Sequence, residues 1–257
     1  MTFFIRRYAL ILLVILSIVL ALAIPFSCLS QNNNLPQYHL NTKRELTLFS
    51  SSLAGLGLAH FLRLQKPILT EDKINNLGHP DFLFGFDTYS TKQNNKTARR
   101  NSDYGLHFSI VAPTLLLLSP IARKNIKPMA IILVETGLTT SALTTLTKET
   151  VRRKRPYVFN PEVSLANKTK RDATSSFFSG HTSFTTAMCF ASASMYAKYH
   201  PKSKAKYFVW ATAAAIPALV GYWRIKGGRH YTTDVVVGYI IGASVGILIP
   251  EIHTKKK

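Results

Sequence analysis

Six uncharged or nearly uncharged apolar stretches, each 16 to 20 residues long, dominate the chain: Leu46–Leu62, Gly105–Ala122, Pro128–Thr147, Thr182–Ala197, Tyr207–Trp223 and Val235–Pro250. A helix rises about 1.5 Å per residue, so stretches of this length sit at or near the span of a bilayer's hydrocarbon core. Ala, Gly, Ser and Thr recur in them at the close intervals that helix interfaces in membranes use. Strand signals are few. The expected fold is therefore all-α, a membrane-embedded helical bundle. The alternative is a soluble bundle with strongly apolar core helices. Leu46–Leu62, with Ser50, Ser51 and Ser52, is the least apolar of the six.

The remainder of the chain is organised around these stretches. Arg6 and Arg7 precede an uncharged run from Tyr8 to Cys28, so residues 1–28 read as a signal peptide or signal anchor. Residues 29–104 read as a linker, a peripheral helix (Leu46–Leu62) and a polar insertion containing Pro67, Pro80 and Asp87. Residues 105–257 read as the core bundle. The two cysteines, Cys28 and Cys189, lie in apolar runs and offer no disulfide framework or zinc pattern.

Charge sets the orientation. Lys and Arg number 32 against 12 Asp and Glu, a net +20. Many of these cations lie in short stretches between apolar runs, which favours membrane flanks over a nucleic-acid face. Arg123, Lys124 and Lys127, then Lys198, Lys202, Lys204 and Lys206, then Lys255, Lys256 and Lys257 mark three cytoplasmic segments. The segments 148–181 and 224–234 then face outward. If Tyr8–Cys28 crosses and Gly105 starts outside, Leu46–Leu62 cannot cross, and it is expected to lie on or beside the bundle.

Three segments at the outward ends carry chemistry. In the first, Lys148 and Arg155 are seven residues apart, so they share a face if the helix runs on to Pro156, and two fixed cations can clamp a dianion. In the second, Ser179, Gly180 and His181 open an apolar stretch, where a helix N-terminus offers free N–H groups to a phosphate. In the third, Arg224 precedes His230 and Asp234, and an i, i+4 pair on a helix lets the carboxylate hold one imidazole nitrogen and leave the other nucleophilic. Each has a plainer reading: a membrane flank, a helix cap, a surface pair.

Taken together, these motifs resemble the type 2 phosphatidic acid phosphatase superfamily, which carries K-x6-RP, PSGH and SR-x5-H-x3-D. The chain has Lys148-x6-Arg155-Pro156, Phe178-Ser179-Gly180-His181 and Arg224-x5-His230-x3-Asp234. Phe178 stands where the family has proline, and Trp223 where it has serine. The resemblance implies that Lys148, Arg155, Ser179, Gly180 and Arg224 bind phosphate. It implies that His230 attacks phosphorus, that Asp234 orients it, and that His181 protonates the leaving alkoxide and later activates water. No metal or other cofactor is implied.

The expected function is hydrolysis of a lipid phosphate monoester or diphosphate on the outer face of the inner membrane, through a phosphohistidine. A soluble periplasmic acid phosphatase of the same superfamily, a vanadate-dependent haloperoxidase and a non-catalytic binder of anionic lipid are the alternatives. Glu135 interrupts an apolar stretch and is either functional or bonded to neighbours such as Thr139. Arg152, Arg153, Lys154, Lys226 and Arg229 are expected at the membrane flank. His39, His60, His79, His107, His200 and His253 match no motif and are expected to be structural or solvated.

Overall fold

The computed structural model describes residues 38–78, 80, 85–116 and 120–254. The segment 1–28 lies outside them, as do His79 and the closing lysines. Six long helices make the fold: α1 Thr42–Leu64, α2 Lys96–Leu116, α3 Ile126–Val151, α4 Gly180–Tyr199, α5 Ala205–Lys226 and α6 Thr232–Ile252. No β-strand occurs among the described residues; the one ladder contact is an isolated bridge between Tyr38 and Thr254.

α4 is the central helix, packed on α6, α5, α2 and α3. It and α6 run parallel with their backbones in close approach. A methyl group added at Gly238, Gly242 or Gly246 would sit 2.8, 2.2 or 2.4 Å from the carbonyl oxygens of Ser179, Ser183 and Ala187. Glycine at every fourth residue removes the side chains that would hold the helices apart. Because backbone meets backbone there, Gly242→Val cannot be absorbed by a rotamer change. We expect it to cost at least about 3 kcal/mol, at the upper end for overpacking. That lowers the melting midpoint in detergent by roughly 6–12 °C for a chain of this size. Gly57, with nothing near it, is the control: Gly57→Ala should leave the midpoint unchanged or raise it.

Several threonine hydroxyls inside these apolar helices are satisfied locally. Thr136, Thr140 and Thr186 each donate at 2.7 Å to the carbonyl four residues back, so they add no unpaired polar group to the core. Among the described residues three helices, counting α3 with its extension to Phe159, α5 and α6, are long and apolar enough to cross a membrane. Their outward faces carry exposed Val134, Phe208, Ile240 and Leu248. A belt of this kind is suited to lipid and speaks against the soluble periplasmic alternative.

Leu46–Leu62 falls within α1, which packs beside the bundle with Ser52 and Ala59 its buried residues, in keeping with a peripheral helix. α1 runs parallel to α3 along its length: Glu45 lies beside Glu135, Ser52 bonds Thr139 at 3.3 Å, Gly55 faces Ala142, and Lys66, just past the helix end, pairs with Glu149 at 2.7 Å. α1 therefore lines α3 over its full length. The boundary placed at residue 105 is displaced, because it falls inside α2, which begins at Lys96. The polar side chains of Arg99, Arg100 and Asp103 hide the first turns of that helix from a hydropathy reading.

Candidate active site

The ends of α3, α4, α5 and α6 that carry the three motifs meet at one end of the bundle, joined by the segments 152–179 and 227–231. α3 does not continue to Pro156. It ends at Val151, Arg152 adopts a left-handed conformation (φ 53°), and Arg155 is extended. Lys148 and Arg155 thus share no helical face; the turn at Arg152 carries Arg155 back over the site. The Lys148 ammonium lies at the head of α4, where a methyl group on Gly180 would be 3.0 Å from Nζ. A glycine there leaves space for an anion between the amine and the helix N-terminus.

His230 is buried in the turn between α5 and α6. Gly228 makes that turn possible with φ +65°, a conformation L-residues rarely adopt. His230 Nδ1 lies 2.7 Å from the Ser176 carbonyl, so this nitrogen holds the proton and donates it. Asp234 Oδ2 is 3.5 Å from the same nitrogen. The Nε2 lone pair is left facing the Arg155 guanidinium, 3.3 Å from Nη1. Burial, then the charges of Arg155, Arg224 and Lys148, push the imidazole well below the usual histidine range. That environment favours the neutral ring, with the Nε2 lone pair free of a proton.

His230 and Asp234 were expected to share a helical face, but α6 begins only at Thr232. Asp234 is instead the third residue of the helix and accepts from the Tyr231 amide at 3.0 Å as half of a capping box. Its carboxylate also accepts from the Ser176 hydroxyl at 2.5 Å and from Arg153 at 2.6 Å. Arg153 is no membrane flank. It is buried, lies over the Tyr231 ring at 4.0 Å, and bridges Asp234 to Asp87, 2.8 Å away. Asp87 in turn accepts from the Thr233 amide and hydroxyl at 3.0 and 2.7 Å. Arg152, by contrast, is exposed as expected.

Ser179 caps α4: its hydroxyl is 3.4 Å from the Thr182 amide and 2.9 Å from the Thr182 hydroxyl, while its own amide donates to the Asp234 carbonyl at 2.9 Å. What this turn offers an oxyanion is chiefly the free amides of the first turn, Gly180 and His181. Arg155 is aimed by the Asp172 and Arg229 carbonyls, which its Nε and Nη1 reach at 2.8 and 3.0 Å. Burial alone would raise the Asp172 carboxyl, but Arg155 and Arg229 outweigh it and hold it below the usual range. Arg224 is buried and donates to Ser102 at 3.2 Å, with its Nε unpaired.

His181 Nε2 lies 2.8 Å from Asp103 Oδ1, and the same carboxylate is 3.6 Å from Arg224. Asp103 was not anticipated, nor were Asp87, Arg153 and Ser176. One signal was available: with only 12 acids among 257 residues, a carboxylate two residues before an apolar stretch is rare enough to ask what it holds. Glu135 does not bond Thr139, which pairs with Ser52; it lies 3.0 Å from His253 at the far end of the bundle.

Comparison with known proteins bears on the family and the fold. A family model described as the PAP2 superfamily matches residues 129–257. The fold is similar to the crystal structure of the first transmembrane PAP2 type phosphatidylglycerolphosphate phosphatase from Bacillus subtilis, with a TM-score of 0.51 and 21% identity over 81% of this chain and 94% of that one. A crystal structure of Aquifex aeolicus LpxE aligns with a TM-score of 0.47 and 22% identity over 68% of this chain and 99% of the other. No curated protein matches the chain.

Proposed function

The chain belongs to the PAP2 superfamily and is a phosphoric ester hydrolase of a membrane, and from that premise we propose that it hydrolyses a lipid phosphate monoester or diphosphate through a phosphohistidine on His230. The observation that carries this reading is the neutral, buried imidazole whose only unprotonated nitrogen faces a cationic pocket.

In the proposed reaction a phosphate dianion enters between Lys148, Arg155, Arg224 and the α4 amides, and takes the guanidinium contact now made by His230 Nε2. Nε2 attacks phosphorus, and the Nδ1 proton stays bonded to the Ser176 carbonyl beside Asp234, which stabilises the positive charge that develops on the ring. His181 donates a proton to the departing alkoxide oxygen. It then takes one from the water that attacks the phosphohistidine and returns His230. Little of this is bond-making by the protein; fixed cations and positioning supply most of the rate. The substrate class rests on the membrane setting, since a site at the end of apolar helices meets a headgroup at the bilayer surface. Basic loops at the opposite end of the bundle support an outward-facing site on the inner membrane.

The test is phosphate release by detergent-purified protein in EDTA, across lipid phosphates and soluble esters. Turnover on lipid phosphates that EDTA spares and His230→Ala removes supports the proposal. Lipid binding with no turnover on any substrate would instead favour the binding-protein alternative.

Asp103 is a positioning residue, because it acts through His181. Its carboxylate, 2.8 Å from Nε2, orients the ring for proton transfer, while burial and then the charges of Arg224, His230, Lys148 and Arg155 push the imidazole below the usual histidine range until an incoming phosphate dianion offsets those cations. We expect Asp103→Asn to lower kcat about 10- to 100-fold on alkyl phosphates, within the range general acids contribute. The loss on p-nitrophenyl phosphate, whose leaving group needs no proton, should be several-fold smaller. Equal losses on both would show a structural role only.

A further inference from the structure

We propose that Glu45, Glu135 and His253 form a structural binding site for one divalent transition-metal ion of the zinc type, at the end of the bundle opposite the phosphatase site. Three helices contribute one ligand each: α1, α3 and the C-cap of α6. Their ligand atoms all lie within 4.8 Å of one another. His253 Nε2 is 3.1 Å from Glu45 Oε2 and 3.0 Å from Glu135 Oε2. Zinc bonds of 2.0–2.1 Å at tetrahedral angles place neighbouring ligand atoms about 3.3 Å apart. The observed separations need to open by only a few tenths of an ångström.

The tautomer fits. His253 Nδ1 is 2.7 Å from the Ile249 carbonyl, so its proton is committed there and the Nε2 lone pair points at the two carboxylates. A backbone carbonyl behind a ligating imidazole is a common outer-shell arrangement around a metal. Glu45 is held likewise: Arg44 reaches its two oxygens at 3.1 and 2.8 Å, and the Asn41 amide reaches Oε1 at 2.6 Å.

One alternative is a proton shared between Glu45 and Glu135, which zinc would have to displace and which substoichiometric zinc in the titration would reveal; the other is an imidazolium lying between the two carboxylates. The geometry disfavours the imidazolium. One Nε2–H can serve only one acceptor, and the hydrogen bond it makes here is to Glu45. Glu135 is 1% exposed, and both its oxygens are buried without a hydrogen-bond partner. Leaving a carboxylate unsatisfied at that depth is costly. A single dication satisfies both carboxylates, and the partial negative charge at the end of α6 favours it further. Thirteen residues of α3 separate Glu135 from Lys148, roughly 20 Å at 1.5 Å per residue, so the ion takes no part in phosphoryl transfer. Its role is to clasp the start of α1 and the end of α6 to the middle of α3.

The experiment uses full-length protein in detergent, stripped with EDTA, desalted and titrated with zinc, with bound metal read by mass spectrometry and the melting midpoint followed in parallel. We expect one zinc per chain and a higher midpoint. Glu135→Gln and His253→Gln should each weaken binding by more than about 100-fold, since even outer-shell losses cost 10- to 100-fold. His181→Asn should leave binding intact. Should a variant fail to fold, cobalt titration of the unaltered protein decides, because four-coordinate cobalt shows intense visible bands. Loss of zinc with His181→Asn but not with His253→Gln would overturn the proposal, as would substoichiometric zinc without cobalt bands. The readouts do not use turnover, so failure of the phosphatase reading is scored separately.

Discussion

His230→Ala is expected to abolish phosphate release, by at least about 10⁴-fold in kcat, because a nucleophile in a concerted site cannot be replaced by its neighbours. The covalent step makes the prediction specific. Rapid acid-free quenching of the unaltered enzyme with radiolabelled substrate should leave phosphate on the protein, stable in alkali and labile in acid, and His230→Ala should leave none. His181→Ala should still take up label on a substrate with a good leaving group, yet release it slowly. The pH profile supplies a second check. Burial and then Arg155, Arg224 and Lys148 lower the His230 pKa, so the group binds its proton more weakly in the folded than in the unfolded chain. The acid limb of kcat/KM should then not carry an ordinary histidine value for the nucleophile. By the same linkage, His230 withdraws stability as pH falls below about 6.5, where the unfolded chain takes up a proton that the folded chain refuses. A melting midpoint that falls no faster below about pH 6.5 in the unaltered protein than in His230→Ala would contradict the neutral, cation-lined imidazole.

Arg153→Met should be nearly as damaging, through a different route. Arg153 is the shared partner of two buried carboxylates, Asp87 and Asp234, at 2.8 and 2.6 Å. Methionine keeps much of the volume but leaves both acids without their cation. Removing one member of a buried ion pair costs about 3–5 kcal/mol, and here two acids lose the same cation. The two acids could respond by taking up protons, which would weaken the capping of α6 and the hold on His230. We therefore expect a large fall in the melting midpoint together with loss of activity. Arg152→Met, one residue away and exposed, should stay within about 0.5 kcal/mol and keep full turnover. If the two variants behaved alike, Arg153 would be the membrane-flank residue its neighbours suggest. A partial rescue in Arg153→Met by Asp87→Asn, which removes one of the stranded charges, would confirm the reason for the loss.

The reacting groups were legible because chemistry at a fixed site demands fixed residue types. Lys148, Arg155, His181, Arg224, His230 and Asp234 sit at the spacings of the family motifs they resemble, a joint pattern that chance seldom assembles, and the apolar periods between them specified helices. Sequence spacing could not say how those residues converge. Lys148 and Arg155 looked like two positions on one helix, yet the chain turns at Arg152. His230 and Asp234 looked like an i, i+4 pair, yet the helix starts between them. In both cases spacing is a local quantity, while convergence depends on where each helix stops.

The groups that hold the catalytic ones were invisible for a related reason. Asp87, Asp103, Arg153 and Ser176 lie in loops or in the polar first turns of a helix, where a single polar group has no periodic context and its partner lies 58 to 81 residues away in the chain. The same holds for Glu45, Glu135 and His253, which belong to three separate helices and acquire meaning only when those helices pack. The amino-acid sequence alone determined the helical class, the apolar spans and the residues of the three family motifs, because each is written in composition and short-range spacing. Tertiary structure alone decided that α1 lines α3 over its full length, which carboxylate serves which cation, and that His230 is left with one free nitrogen, because those facts depend on groups far apart in the chain meeting in a medium too dry to leave any of them unpaired.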